Sequence, residues 1–354
     1  MNRPFQIFGL LLAMGAAAFS GCSLIDEDLS DCGEELTVDY QLRLVTNMRT
    51  ELETVLSLEA DVEVSTALET YLEDVFTDYA RDVDLSFYDT VGDMPILEHM
   101  SETMDASQSS YTLYIPVRDY MHTCVANIAQ TSQVSLEGTD FCHSAKLVQH
   151  SVDGVADPHE SGLFTARKRM DIQEGVDPSF DVHLFMANSA TALVLEPGED
   201  AHFKDIRVEV TGFADGFSIA DSTYTFAGST LMEGKDARIR TQKLEVEGGS
   251  EECYASVHFP SRDLPESKVV IETEEPFTTE SADEMLWGWI VYVTLEDGTV
   301  TRSTLGLWTP LRAGQLKIVK VKVQRGGAVT TRDPLVGVSV TLDWNEGGNH
   351  EVEF

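Results

Sequence analysis

Apolar and polar residues alternate along many short segments of this chain, which is the pattern of half-buried β-strands. Such strands must bury their apolar face against another layer of structure. The sequence therefore predicts a mostly β protein built from sandwiches. The two clearest segments lie near the two ends of the chain, and their apolar positions are Leu36, Val38, Tyr40, Leu42 and Leu44 in the first and Val336, Val338, Val340, Leu342 and Trp344 in the last.

The second half of the chain consists almost entirely of short apolar runs separated by turn residues, which is typical of a β-sandwich. Between two of these runs, Asp297-Gly298 predicts a type I′ hairpin turn. The predicted strands are Asp181–Met186, Ala192–Leu195, Ile206–Val210, Ser222–Phe226, Tyr254–Phe259, Val269–Glu272, Trp287–Leu295, Val300–Leu307 and Lys317–Val323.

One segment of the first half has helical rather than strand periodicity. Thr66 and Glu69 have the spacing of a capping box, and an apolar stripe follows at Leu68, Leu72, Val75, Phe76 and Tyr79. A chain of 354 residues favours two domains. Periodicity is lost from about Thr139 to Gly175, so we expect β-sandwich domains at residues 36–165 and 166–354, the first with an added helix.

The N-terminus has the layout of a bacterial signal peptide, with Arg3, an apolar run and then small residues. Phe19-Ser20-Gly21-Cys22 resembles a lipobox, which predicts removal of residues 1–21 and a lipid on Cys22. Residues 22–35 then form an acidic tether. The alternative is ordinary cleavage near Ala16–Ala18, with Cys22 as a structural thiol. Several acyl chains on one residue would anchor the protein firmly to a membrane.

The charge of the chain excludes one class of function. Lys and Arg total 24 against 61 Asp and Glu, which gives a formal net charge of −37. Nucleic acid and anionic lipid headgroups repel such a surface, because binding to either begins with cationic side chains. We therefore expect no nucleic-acid partner.

Without Cys22, the remaining cysteines are Cys32, Cys124, Cys142 and Cys253. Their even number would allow disulfides in an oxidising compartment, and several pairings are open. Cys124 and Cys142 flank a polar stretch at a plausible hairpin separation, while buried reduced thiols are the alternative. No paired metal-ligand spacing is present, so no metal site is expected.

The sequence contains no motif of enzymatic chemistry: no nucleophile elbow, phosphate loop, dinucleotide fingerprint or zinc-protease helix. We therefore expect a non-enzymatic protein without cofactor or small-molecule substrate. Trp287 and Trp289 share one face of a predicted strand, where core packing is the simpler interpretation and a sugar-stacking platform the alternative.

The order of features along residues 22–354 resembles the FimB-like fimbrillin-anchor family of Bacteroidales type V fimbriae. The acidic cluster after Cys22 also resembles the surface-export signal of Bacteroidota lipoproteins. The segments that carry the family resemblance are Cys22 with Asp28–Cys32, Leu85–Asp89 before Gly92, Gly162–Phe164, Pro310–Gly314 before Ile318–Val323, and Val338–Gly348.

The resemblance implies two transthyretin-like β-sandwich domains and a role in attaching a fimbrial shaft to the outer membrane and limiting its length. The implied partners are fimbrial shaft subunits, joined by strand complementation, and the membrane itself. We expect the first alternating strand to stay in the body, uncut at Arg43 or Arg49, and Val336–Trp344 or another edge to meet the shaft. The alternative for Val336–Trp344 is an ordinary internal strand. The alternative is a lipid-anchored adhesin or glycan-binding sandwich that joins no fimbria.

Overall fold

The structure is a computed structural model that describes residues 35–45, 61–77, 79–105, 110–173, 179–226, 238–248, 250–263, 285–333, 336–344 and 348–352. The strands of its first half are β1 (Glu35–Val45), β2 (Asp82–Asp89), β3 (Ile96–Thr103), β4 (Ser110–Pro116), β5 (Asp119–Ala126), β6 (Val134–Glu137), β7 (Lys146–Gln149), β8 (Val155–Ala156), β9 (Phe164–Asp171) and β10 (Ser179–Met186).

The described part of the second half also consists of strands. They are β11 (Ser189–Pro197), β12 (Phe203–Thr211), β13 (Gly216–Ser218), β14 (Thr223–Thr225), β15 (Arg238–Arg240), β16 (Gln242–Leu244), β17 (Glu252–His258), β18 (Trp287–Leu295), β19 (Val300–Leu307), β20 (Leu316–Val323), β21 (Val329–Thr331), β22 (Val336–Trp344) and β23 (Gly348–Val352).

The α-helix α1 spans Val62–Val75 and lies between β1 and β2 in the chain. The predicted capping box is wrong, because the helix begins one turn before Thr66, with Asp61 at its N-cap. The Thr66 hydroxyl instead donates to the carbonyl of Val62 within the helix. The apolar stripe is confirmed for Leu68, Leu72 and Val75, which are buried. Phe76 and Tyr79 lie beyond the end of the helix and are half-buried.

The strands form four sheets. The first sheet has the order β3-β2-β5-β9-β10-β1-β4, and the second has the order β16-β17-β11-β20-β21. The third sheet runs β23-β22-β19-β18-β12-β15-β8, and the fourth runs β14-β13-β7-β6. The predicted mostly β class is therefore confirmed, with α1 as the one α-helix among the described residues.

Two apolar cores share the second sheet. Alternate residues of β11 point to opposite faces, so Ala190, Ala192 and Val194 join the first core while Leu193 and Leu195 join the second. The first core also contains the inner face of the first sheet and the buried stripe of α1, and the second contains the inner face of the third sheet. A smaller third core lies against the fourth sheet, around Leu147 and Phe217.

Two details differ from the sequence-based expectation. The β18–β19 turn is not type I′, because Gly298 has positive φ (86°) and Asp297 does not. Gly298 N donates to Leu295 O, which makes this a type I turn closed by a left-handed glycine.

The expected boundary at 165/166 falls within β9, which pairs with β5 and β10 of the first sheet. The division into two domains stays a prediction, and predicted strand Val269–Glu272 lies outside the described residues.

Candidate strand-complementation site

The first alternating segment forms β1, which lies inside the first sheet rather than at its edge. β1 pairs in parallel with β10 and antiparallel with β4. Val38, Tyr40 and Leu42 are buried in the first core, and Leu44 packs against it. Leu36 is paired with Ile115 of β4. Removing β1 would therefore open the first core. It would also separate β10 from β4, because β1 is the strand that pairs with both.

A buried polar contact fixes the centre of β1. The Tyr40 hydroxyl lies 2.5 Å from Nε2 of His122 on β5, and His122 Nδ1 lies 3.0 Å from the carbonyl oxygen of Ser86. The imidazole stacks on Phe87, with ring centroids 4.3 Å apart. This geometry fits a neutral imidazole that donates from Nδ1 and accepts from Tyr40. Burial lowers the pKa of His122 to about 4, which keeps the ring neutral.

The last alternating segment forms β22, which is also not the outermost strand of its sheet. β22 pairs with β19 from Val336 to Asp343 and with β23 from Val340 to Trp344. Val336 is buried in the second core. The edge at this end of the third sheet is therefore β23, a five-residue strand near the end of the chain.

The two segments 162–164 and 310–314 that carry the family resemblance meet at one buried residue, Asn188. Its Oδ1 accepts the backbone N–H of Leu163, and its carbonyl oxygen accepts the N–H of Gly314. Its Nδ2 donates to Nδ1 of His159, which is buried. Sequence reasoning missed this junction, because nothing in the periodicity marks Asn188 as a partner of loops so distant in the chain.

A second buried histidine lies beside this junction. His258 is bonded through Nδ1 to the carbonyl oxygen of Phe259 (2.8 Å) and through Nε2 to the Thr191 hydroxyl (3.1 Å). Burial lowers the pKa values of both His159 and His258 to about 3. These histidines are neutral structural residues and not metal ligands. Among the described residues no three His, Cys, Asp or Glu side chains form a group that could hold a metal ion.

The possible disulfide between Cys124 and Cys142 is absent: both thiols are free and buried, as is Cys253. The sheet explains this result. Cys124 points into the first core from β5. Cys142 lies near Arg167 and Tyr88, and the side chains of these two residues point to the other face of the first sheet. Burial raises the pKa of all three thiols, which makes them unreactive. Cys22 and Cys32 lie outside the described residues.

The tryptophan pair is part of the second core. Trp287 and Trp289 are buried, and Trp287 Nε1 donates to the carbonyl oxygen of Thr309 at 2.8 Å. Neither ring is available to stack on a sugar, which confirms the core-packing interpretation. Within the described part of the chain, no helix has the length and apolar character needed to cross a membrane.

Comparisons with known proteins gave structural neighbours only. No protein-family model matches the chain, and no curated protein matches it. The fimbrial anchor protein Mfa2 from Porphyromonas gingivalis is 9% identical over 87% of this chain and 98% of its own, with a TM-score of 0.46. A candidate adhesin from Bacteroides ovatus is 11% identical over 90% and 96%, with a TM-score of 0.49.

A candidate polysaccharide-binding protein from Bacteroides thetaiotaomicron is 8% identical over 90% of this chain and 99% of its own, with a TM-score of 0.47. These neighbours are thus a fimbrial anchor protein, a candidate adhesin and a candidate polysaccharide-binding protein. Their TM-scores lie below 0.5. The function proposed for this chain therefore rests on its own residues.

Proposed function

We propose that this chain is a non-enzymatic surface lipoprotein that holds a fimbria on the outer membrane and limits its length. In this proposal the lipid on Cys22 is the membrane attachment, residues 22–35 are the tether, and a strand of a shaft subunit completes the third sheet beside β22. The chain belongs on the outside of the outer membrane, where the shaft is assembled.

The observation that carries the proposal is the position of β1. It begins at Glu35, the last residue assigned to the tether, and pairs on both sides within the first sheet. A pull on the lipid end is therefore distributed over two backbone ladders and the buried side chains Val38, Tyr40 and Leu42. A loosely attached terminal segment would not bear such a load.

The buried faces of the sheets connect β1 with the start of β22 through two apolar cores. The first core joins β1 to one face of the second sheet, and the second core joins the other face to β19 and Val336. Because protein interiors are close-packed, load passes between these layers without loose segments. Attachment at β1 and shaft binding beside β22 thus engage one packed body.

The test is fimbrial length and release into the medium in three strains: one carrying Cys22→Ala, one lacking the gene, and one carrying the neighbouring substitution Ser23→Ala as control. The proposal expects shafts to be longer or shed in the first two strains and normal in the third. Normal shafts in the strain lacking the gene would refute the anchor function. That outcome would favour an adhesin that joins no fimbria.

A further inference from the structure

Four arginines lie together on the face of the third sheet that points away from the second core. The alternate positions Val208, Ile239 and Leu305 belong to that core, so the arginines between them face outward. We call this group the arginine cluster. Its members are Arg207 on β12, Arg238 and Arg240 on β15, and Arg302 on β19.

One buried carboxylate holds two of these guanidinium groups. The side chain of Glu209 is 2% exposed, and it accepts from Nη1 of Arg207 at 2.6 Å and from Nη1 of Arg238 at 3.3 Å. These two arginines are nevertheless 58% and 40% exposed. At the rim Arg240 pairs with Asp157. Because a guanidinium has five N–H donors, both arginines held by Glu209 also present donors to solvent.

An aromatic ring fixes the position of Arg207. Its guanidinium carbon lies 4.0 Å from the ring centroid of Tyr292 on β18. Tyr292 is paired directly with Arg207 on one side and with Arg302 on the other. The backbones of the two arginines are thus two strand spacings apart, or about 10 Å. A guanidinium that is both stacked and held by a carboxylate loses little conformational freedom when it binds an anion.

The surface around the cluster is polar. Ile290, the aliphatic residue paired with Glu209, is buried. Thr294 and Thr304 lie on the same face and are half-buried. The centre of a protein interface is depleted of charge, whereas a polysaccharide offers hydroxyl groups for hydrogen bonds and anionic groups for ion pairs. This face therefore suits an acidic polysaccharide better than an acidic protein.

We propose that the arginine cluster binds an acidic polysaccharide. Arg207 and Arg302 take anionic groups of the polymer on the two sides of Tyr292, and the arginines of β15 extend the line of contacts. A planar guanidinium can bind two oxygens of one carboxylate or sulfate group through parallel N–H bonds. The whole chain carries −37 and repels polyanions, so this binding is local to the cluster. The inference does not depend on attachment to a fimbria.

Binding of the full chain to immobilised alginate, dextran sulfate and neutral dextran tests the proposal. Alginate supplies carboxylates, dextran sulfate supplies sulfates, and dextran has no charge. At about 0.15 M salt, exposed charges more than about 8 Å away are largely screened. We expect binding to alginate, dextran sulfate or both, and none to dextran. Binding to one acidic polymer alone identifies the anionic group. Binding to neither, or equally to dextran, would overturn the proposal.

Matched variants test whether the cluster is the site. Arg207→Gln with Arg302→Gln should weaken binding about tenfold or more, because two charge-assisted contacts are lost. Arg43→Gln with Arg169→Gln removes the same charge from exposed positions on the first sheet and should bind normally. Asp205→Asn should strengthen binding, since it removes an exposed acid from the strand that carries Arg207. Equal weakening by the two double variants would contradict a site at the cluster.

Competition with polyglutamate separates a polysaccharide ligand from an acidic protein segment. Soluble alginate or dextran sulfate should displace the bound chain better than polyglutamate of equal total charge. Stronger displacement by polyglutamate would overturn the polysaccharide and assign the cluster to an acidic protein segment.

Discussion

Three buried histidines should make the stability of the protein sensitive to acid. His122, His159 and His258 are buried and neutral, with pKa values of about 4, 3 and 3. A protonated His159 would direct a second N–H at the Asn188 amide nitrogen, while Asn188 Oδ1 is already held by Leu163. The folded state therefore resists protonation at this site, whereas the unfolded chain takes up protons near pH 6.5.

The sign of the pH dependence follows from these values. Because the folded pKa values are depressed, the unfolded state binds more protons as the pH falls below about 6.5. This contribution to stability is thus present above that pH, and it is lost as the pH falls toward about 4 for His122 and about 3 for His159 and His258. When the pH is lowered from 7.5 to 5, each of the three histidines should lower the free energy of unfolding by about 2 kcal/mol.

Urea unfolding at the two pH values measures this effect. His122→Phe should show a decline about 2 kcal/mol smaller than the unmodified chain, since one titrating group is gone. The exposed substitution His202→Gln is the control and should leave the decline unchanged. An equal decline in His122→Phe would show that buried His122 does not contribute to acid sensitivity.

Asn188 is the residue whose loss should weaken the junction most. Asn188→Ala leaves the Leu163 N–H and the His159 Nδ1 unpaired in a buried site, and we expect a loss of about 2–4 kcal/mol in unfolding free energy. Gln242→Ala on an exposed position is the comparison. A loss below about 0.5 kcal/mol would mean that the surroundings re-pair these groups.

At the scale of single elements, β18 and β19 approach so closely at Gly288 that no larger residue fits there. A side chain at Gly288 would collide with the backbone carbonyl of Leu305, which cannot move without breaking the ladder. Gly288→Ala should cost about 1–3 kcal/mol in urea unfolding. Gly326→Ala, with open space around the added carbon, should be close to neutral. Equal stability of the two variants would contradict the close packing of these strands.

The strands with strong alternation could be predicted from sequence, and their partners could not. Trp287–Leu295 and Val300–Leu307 have the same bounds in the prediction and in the structure. Periodicity is a local property, so it identifies a strand and its buried face. It does not show that β1 pairs in parallel with the distant β10, or that β23 covers β22.

For the candidate site, too, the strands could be predicted from sequence and their neighbours could not. Both alternating segments are strands, yet sequence could not show that each has neighbours on both sides. The possible Cys124–Cys142 disulfide was wrong for the same reason, because strand alternation across a paired sheet separates the two thiols. The start of α1 was misplaced, because Thr66 bonds within the helix instead of capping it.

At the scale of the whole molecule, the second sheet joins the two largest cores. One face packs with β1 and α1, and the other packs with the third sheet. β1 and the start of β22 are thus parts of one packed arrangement.

The most direct test of this account is the N-terminus of the chain that remains attached to cells together with shafts. Mass spectrometry of the shaft-bound protein should find acylated Cys22 and an uncut chain from Cys22 through Val45. A mature N-terminus at or beyond Arg43 would contradict the account, because the body would then have lost both its lipid and most of β1.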